Sequence, residues 1–222
     1  ATLRGHTGAL TSITGPSLQP GDVTRNVSKL IFTAGHEGVI RAWNIPEFRG
    51  DEKYPTTNGQ NFCVGIFDDA IKQPIWNLHY HPFLNFVLSV KSYNLVQVWD
   101  TSEIVKAAES YDQSNHEQNK ENFVKCEKPF KEICFAIGES EQQATCAAWL
   151  PTDSNLFVVG YDSGHLCFFD YRDANLDYAH ELPEKNICCV VAHEFSQIVV
   201  AGHLCGKINI LDFKRKEVIE TI

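Results

Sequence analysis

Methionine is absent from all 222 residues, no two cysteines are spaced Cys-x-x-Cys, and no basic run is longer than Lys214-Arg215-Lys216. Each absence removes a class. Without paired thiols at metal-ligand spacing, the eight cysteines are expected to be small hydrophobes within apolar runs, forming neither a zinc site nor a disulfide framework. With 19 basic against 28 acidic side chains, a net charge of -9, nucleic acid and anionic membrane are unsuited partners. No stretch reaches the roughly 20 consecutive apolar residues that cross a bilayer, and the first residues carry no apolar leader, so a cytoplasmic location is expected. No heptad run suits a coiled coil. The missing methionine, at the start as elsewhere, leads to the expectation of an excised or incompletely represented stretch.

What is present is a repeat. Residues 29–44, 85–100, 155–170 and 197–212 align without a gap, each as an apolar run, a turn and a second run ending on Trp43-Asn44, Trp99-Asp100, Phe169-Asp170 or Leu211-Asp212. After the turn residues Gly38, Asn94, Gly164 and Gly206, alternate positions are apolar: Ile40 and Ala42, Val96 and Val98, Leu166 and Phe168, Ile208 and Ile210. A period of two rich in β-branched residues predicts strands, so each copy reads as a β-hairpin. A further strand is expected before each hairpin, at 9–14, 75–80, 144–150 and 187–192, and after the first and third, at 62–67 and 174–182. Four short antiparallel strands per unit make one propeller blade.

The interval from Phe169 to Leu211 fits the period of roughly 40–45 residues of such units; the earlier intervals are longer and hold insertions. These lie at 46–61 and within 101–143, where the polar stretch 107–122 is expected to be mobile. An excess loop at 15–28 contains Asn26-Val27-Ser28, a glycosylation triplet without meaning in the cytosol. Strand fragments at 2–4 and 218–222 flank the repeats.

Gly5-His6, the Trp-Asp type endings and the four-strand unit resemble the WD-repeat family across essentially the whole chain. The fold expected is therefore all-β, a WD-repeat β-propeller with four consecutive blades at about 5–67, 68–137, 138–182 and 183–222, part of a seven-bladed ring, with a mobile insertion at about 105–125. The run from Thr33 to Pro46, with Ile75-Trp76-Asn77-Leu78-His79-Tyr80 and Val98-Trp99-Asp100-Thr101-Ser102-Glu103-Ile104, is similar to the carboxy-terminal propeller of striatin-family scaffolds. That resemblance implies a non-catalytic scaffold in assemblies joining protein phosphatase 2A to germinal-centre-type kinases. Striatins contact the phosphatase through a coiled coil, which this chain does not show. The family's structural tetrad maps onto His6, Thr33, Glu37 and Trp43; in the other units Tyr93, Ser163 and Cys205 fill the acid position, and those units are expected to rely on packing.

For partner proteins, Trp76 and Trp149 are candidates because they precede the hairpins instead of closing them, and exposed aromatics anchor interfaces. The alternative for both is inter-blade packing. The turn residues His36, Tyr93, Tyr161, Asp162 and His203, with Glu37, are candidates by position on the same face. His79 and His81, two apart on a strand, could share a metal, but their place before Pro82 suits exposed polar side chains, and no metal or cofactor site is expected. Gly202-His203-Leu204-Cys205-Gly206-Lys207-Ile208 has too few spacers and no Ser/Thr for a phosphate loop. Gly160-Tyr161-Asp162-Ser163-Gly164 places its serine one residue late for a nucleophile elbow. An enzyme is disfavoured. The alternative scaffold reading is a WD-repeat substrate receptor of a cullin-type ubiquitin ligase, on the pattern Phe169-Asp170-Tyr171-Arg172.

Overall fold

A computed structural model describes residues 5–16, 30–45, 62–111, 122–134 and 142–222. The expectations for 2–4, for most of the loop at 15–28 with its Asn26-Val27-Ser28 triplet, for 46–61 and for 112–121 lie outside the described residues.

The hairpins set the frame. Strands β2 (Leu30–Gly35) and β3 (Ile40–Asn44), β6 (Phe86–Lys91) and β7 (Leu95–Asp100), β11 (Leu156–Tyr161) and β12 (His165–Asp170), and β15 (Ile198–His203) and β16 (Ile208–Asp212) pair antiparallel. Their registers agree, with Leu30 opposite Asn44, Phe86 opposite Asp100, Leu156 opposite Asp170 and Ile198 opposite Asp212. At the first turn Gly38 has φ +75°, and a Cβ there would meet the Gln73 carbonyl at 2.7 Å, so the turn requires glycine twice over.

Each hairpin carries one strand on either side. β1 (Leu10–Thr14) and β4 (Cys63–Phe67) flank the first, β10 (Ala144–Trp149) and β13 (Leu176–Glu181) the third, and β14 (Ile187–Ala192) and β17 (Glu217–Thr221) the fourth. The second hairpin lies between β5 (Ile75–Tyr80) and β9 (Lys131–Cys134). The fold is thus mostly β, in four antiparallel sheets. Among the described residues, no helix is long and apolar enough to cross a membrane.

Two elements depart from the expected pattern. Helix α1 (Ser102–Glu109) follows β7 directly, and β8 (Val124–Cys126) returns to pair parallel with β4, making the first sheet five-stranded. The stretch expected to be mobile from about 105 therefore begins inside a helix, because Ile104, Val105, Ala107 and Ala108 form one buried face. Gly65 in β4 makes room for it, since a Cβ there would lie 2.9 Å from Ile104 Cδ1.

The leading strands β1, β5, β10 and β14 are neighbours in that succession, so the sheets stack face to face. Three apolar layers fill the joints. Phe32, Ile40, Tyr80 and Trp99 lie in the first, Leu88, Val98, Trp149 and Phe157 in the second, and Val158, Phe168, Ile187 and Leu211 in the third. Each fully buried side chain of this kind stabilises by about 1.5–3 kcal/mol, which makes the joints the source of order.

Candidate functional site

All four leading strands carry a β-bulge at the same register, immediately after Leu10, Ile75, Ala144 and Ile187. The bulged residues are Thr11, Trp76, Thr145 and Cys188. A bulge inserts one unpaired residue and redirects its side chain. Thr11 uses that freedom to bond through Oγ1 to the carbonyl of Ile75, and Thr145 does the same to Ile187 O at 2.7 Å. Two bulges thus tie one sheet to the next.

Trp76 is too large and too poor in acceptors to copy this. Its indole stands 43% exposed, whereas Trp43, Trp99 and Trp149 are at most 1% exposed. Its Nε1–H donates to Ser92 Oγ at 3.0 Å and the His36 ring meets it edge-on at 5.3 Å, so its position is fixed on two sides. Together with Thr145 and Cys188 it lines a cleft of about 380 Å³.

The remaining walls come from residues beside the strand starts and from the hairpin turns. Gln143 and Ala144 precede the third bulge, Asn186 and Ile187 the fourth, and Asp162 and Leu204 belong to the turns after β11 and β15. Backbone bonds lock these pieces together. Asp162 N donates to Gln143 O at 3.0 Å, Gln143 N donates back to Asp162 Oδ1 at 2.8 Å, and Asn186 N donates to Asp162 O at 2.6 Å. Leu204 N completes the set on Asn186 O at 3.0 Å. A rigid, half-open cleft with an aromatic wall and one carboxylate is a binding site in form.

Of the residues singled out by sequence, Trp76 and Asp162 meet in this cleft, and His36 supports Trp76 from behind. Tyr93 stands 72% exposed at the neighbouring turn, whose Asn94 Oδ1 accepts from Ala144 N at 2.8 Å. Trp149 follows the packing alternative, and the expectations for Tyr161 and His203 need correcting. Trp149 is fully buried, its Nε1–H bonded to His79 O at 3.1 Å and its ring 4.6 Å from that of His81, because its position faces the second sheet. Tyr161 is 1% exposed within the same joint. His203 is 4% exposed, with Nδ1–H donating to Lys185 O at 3.2 Å and Nε2 accepting from Asn209 Nδ2 at 2.9 Å.

Sequence reasoning missed Thr145, Cys188, Gln143, Asn186 and Leu204. Thr145 and Cys188 occupy the position of Trp76 in their units, so aligning the leading strands as well as the hairpins would have found them.

His79 and His81 do not share a ligand position. His81 is fully buried: Nδ1 accepts from the backbone of Phe83 at 3.0 Å and of Leu84 at 2.9 Å, so Nε2 carries the proton and donates to Ser154 O at 3.0 Å. His79 Nδ1 accepts from Trp149 N at 3.3 Å, and burial together with the adjacent His81 lowers its pKa to about 4. Arg172 is engaged by both carboxylate oxygens of Asp170 through Nε and Nη2 on an exposed turn.

In the first sheet, the structure joins the four expected tetrad residues. Trp43 Nε1 donates to Thr33 Oγ1 at 2.7 Å, His6 bridges Thr33 Oγ1 and Glu37 Oε1 at 2.6 Å each, and Thr7 donates its N–H and hydroxyl to Glu37 Oε2. Burial alone would raise the Glu37 pKa, but the bonds from Thr7 and His6 outweigh it and hold the carboxyl at about 2.

The other units were expected to rely on packing, and the second and fourth depart from this. In the second sheet Trp99 Nε1 donates to Ser89 Oγ at 3.0 Å, buried Lys91 reaches Asp69 Oδ1 at 2.8 Å, and Gln97 donates to Asp69 Oδ2 and Glu132 Oε1. In the third, Ser163 bonds Gln142 and His165; in the fourth, Asn209 links His203 to Glu184. In the second and fourth sheets the acid, Asp69 or Glu184, has moved from the hairpin turn to the segment between units, while in the third the Gln142 amide takes its place.

Compared with known proteins, the chain matches no protein-family model and no curated relative.

Proposed function

We propose that the four sheets are consecutive blades of a WD-repeat-type β-propeller and that the protein is a non-catalytic interaction scaffold, striatin-like, working in a cytoplasmic phosphatase–kinase assembly. The observation that carries the scaffold reading is the cleft at three successive bulges, where Trp76 is the one exposed indole among four. Support for the propeller comes from the succession of leading strands and from the bonds that pass between them, Thr11 to β5, Asn77 and His79 to β10, and Thr145 to β14. The polar chain from Trp43 through Thr33 and His6 to Glu37 supports the family resemblance.

A binding role fits the cleft better than catalysis. Among the described residues, the Asp162 side chain bonds only the backbone N–H of Gln143, and no base–nucleophile pair converges there. Rigid walls, an immobilised aromatic and surrounding small polar groups are instead what an interface anchor needs.

The test is affinity capture from native extract with the tagged protein, read by mass spectrometry for phosphatase and kinase subunits. Capture of both, with at least one partner lost on Trp76→Ala while the fold is retained by circular dichroism, is the expected result. Recovery of neither class overturns the assembly, and capture unaffected by Trp76→Ala overturns the cleft as its anchor.

A further inference from the structure

We infer that the cleft receives a basic side chain, an arginine, from an extended segment of the partner protein. This rests on the interaction reading above and adds the chemistry of what is recognised.

Among the polar groups of the cleft, the side-chain amides of Gln143 and Asn186 are neutral, and the Asp162 carboxylate is the one charge. Trp76 has already given its N–H to Ser92, so its indole can offer a guest only its ring. Thr145 Oγ1 is engaged by the carbonyls of Ile187 and Gly160, and the backbone N–H and carbonyl of Asn186 are both bonded. Asp162 differs. Its Oδ1 accepts from Gln143 N, while Oδ2 has no donor among the described residues. None of the lining residues is basic, and the whole chain carries -9. The cleft thus presents a π-system and an unpaired carboxylate oxygen, with no cation of its own to satisfy either.

A guanidinium meets both demands at once. It is planar and weakly hydrated, stacks on an indole face, and donates in a fixed fork to a carboxylate. Leu204, 75% exposed, and Cys188 offer apolar surface for the methylene stem. An acidic guest would face the Asp162 charge with only the neutral amides of Gln143 and Asn186 to answer it, and a purely apolar one would bury Oδ2 unpaired. Lysine supplies the charge but neither the plane nor the fork.

The experiment uses the 222-residue chain labelled with ¹⁵N and three probes: acetyl-Gly-Arg-Gly-amide, its lysine counterpart and its citrulline counterpart, a neutral isostere. The readout is the Trp76 Nε1–H resonance, assigned by its loss in Trp76→Phe. The arginine probe is expected to shift it with a millimolar Kd, the lysine probe more weakly, and citrulline at least about tenfold more weakly. Asp162→Asn keeps an oxygen for Gln143 N–H and is expected to bring arginine down to the citrulline level. Raising salt toward about 0.5 M should weaken the two cationic probes and leave citrulline unchanged. Equal shifts by arginine and citrulline, no shift from any probe, or arginine binding unchanged in Asp162→Asn would each overturn the inference. A partner lost on Trp76→Ala but retained by Asp162→Asn leaves the interaction surface standing and removes only the arginine.

Discussion

The second and fourth sheets have the same hairpin register and the same bulge, yet one is enclosed and the other has a bare face. The two sheets also differ at two positions of the leading strand. In the second sheet Asn77 Oδ1 accepts from Ala147 N at 3.1 Å and His79 Nδ1 accepts from Trp149 N, just as Ser12 and Thr14 of the first sheet accept from Leu78 and Tyr80. In the fourth sheet the equivalent residues are Cys189 and Val191, and Val191 is 61% exposed. A leading strand is the inner edge of its sheet, so every second N–H points away from its own partner strand and needs an acceptor elsewhere. The preceding sheet provides it. The first two joints are therefore held by side-chain acceptors as well as by apolar contact, while the third, with Cys146 and Ala148 at those positions, rests on its apolar layer and on Thr145.

The largest break in that comparison comes from removing the residue on which the second joint is centred. Trp149→Ala deletes a fully buried indole packed against His81, Phe157 and Tyr171 and should cost about 3–5 kcal/mol in urea unfolding. Val191→Ala, on the bare face, should cost less than about 1 kcal/mol. Equal costs would mean that the fourth sheet's outer face is as well covered in solution as the second joint.

A smaller effect separates the two polar networks. Lys91 is 1% exposed beside Asp69, so Lys91→Met leaves a buried carboxylate with only the Gln97 amide and the Ile71 N–H to answer it and no compensating charge, at a cost of about 3 kcal/mol. The fourth sheet's pair, Lys207 with Glu184 at 2.7 Å, has its lysine side chain 56% exposed, and Lys207→Met should leave the urea midpoint nearly unchanged. Replacing Lys91 and Asp69 together by Met and Leu should recover most of the first loss, because the orphaned charge goes with it. Failure to recover would assign the loss to packing.

How much of this was legible in sequence follows from what the period of two encodes. It reports which positions face a covered side, so the sixteen-residue hairpins and the leading strands 75–80 and 187–192 match the observed elements. It does not report bulges. One inserted residue leaves the apolar pattern nearly intact while turning Trp76 outward and placing Thr145 and Cys188 beside it. Nor does it separate an exposed from an enclosed tryptophan: Trp76 and Trp149 both sit on leading strands, but only Trp149 has a neighbouring sheet across its face. Helix α1 was hidden for another reason. Its four buried side chains lie in Ile104-Val105-Lys106-Ala107-Ala108, next to a polar stretch that outweighs them in composition.

The smallest effect is set by pH, and it again distinguishes the second joint from the bare face. His79 and His81 both have pKa values lowered by burial, His79 to about 4, so the folded protein keeps them neutral while the unfolded chain takes up protons below about 6.5. The unfolded state then binds more protons, and stability falls as pH drops from about 6.5 to about 4, with no contribution above that window. For His79, which is half-buried, the loss is on the order of 2 kcal/mol after allowing for screening. His6 is lowered too and adds to the same window, and Glu37 adds its own loss between about 4.5 and about 2. His79→Gln isolates one contributor, since its amide oxygen can still accept from Trp149 N. Urea midpoints measured from pH 7.5 to pH 4 should fall less steeply in that variant than in the parent. Parallel slopes would place the proton uptake elsewhere and leave the second joint dependent on packing alone.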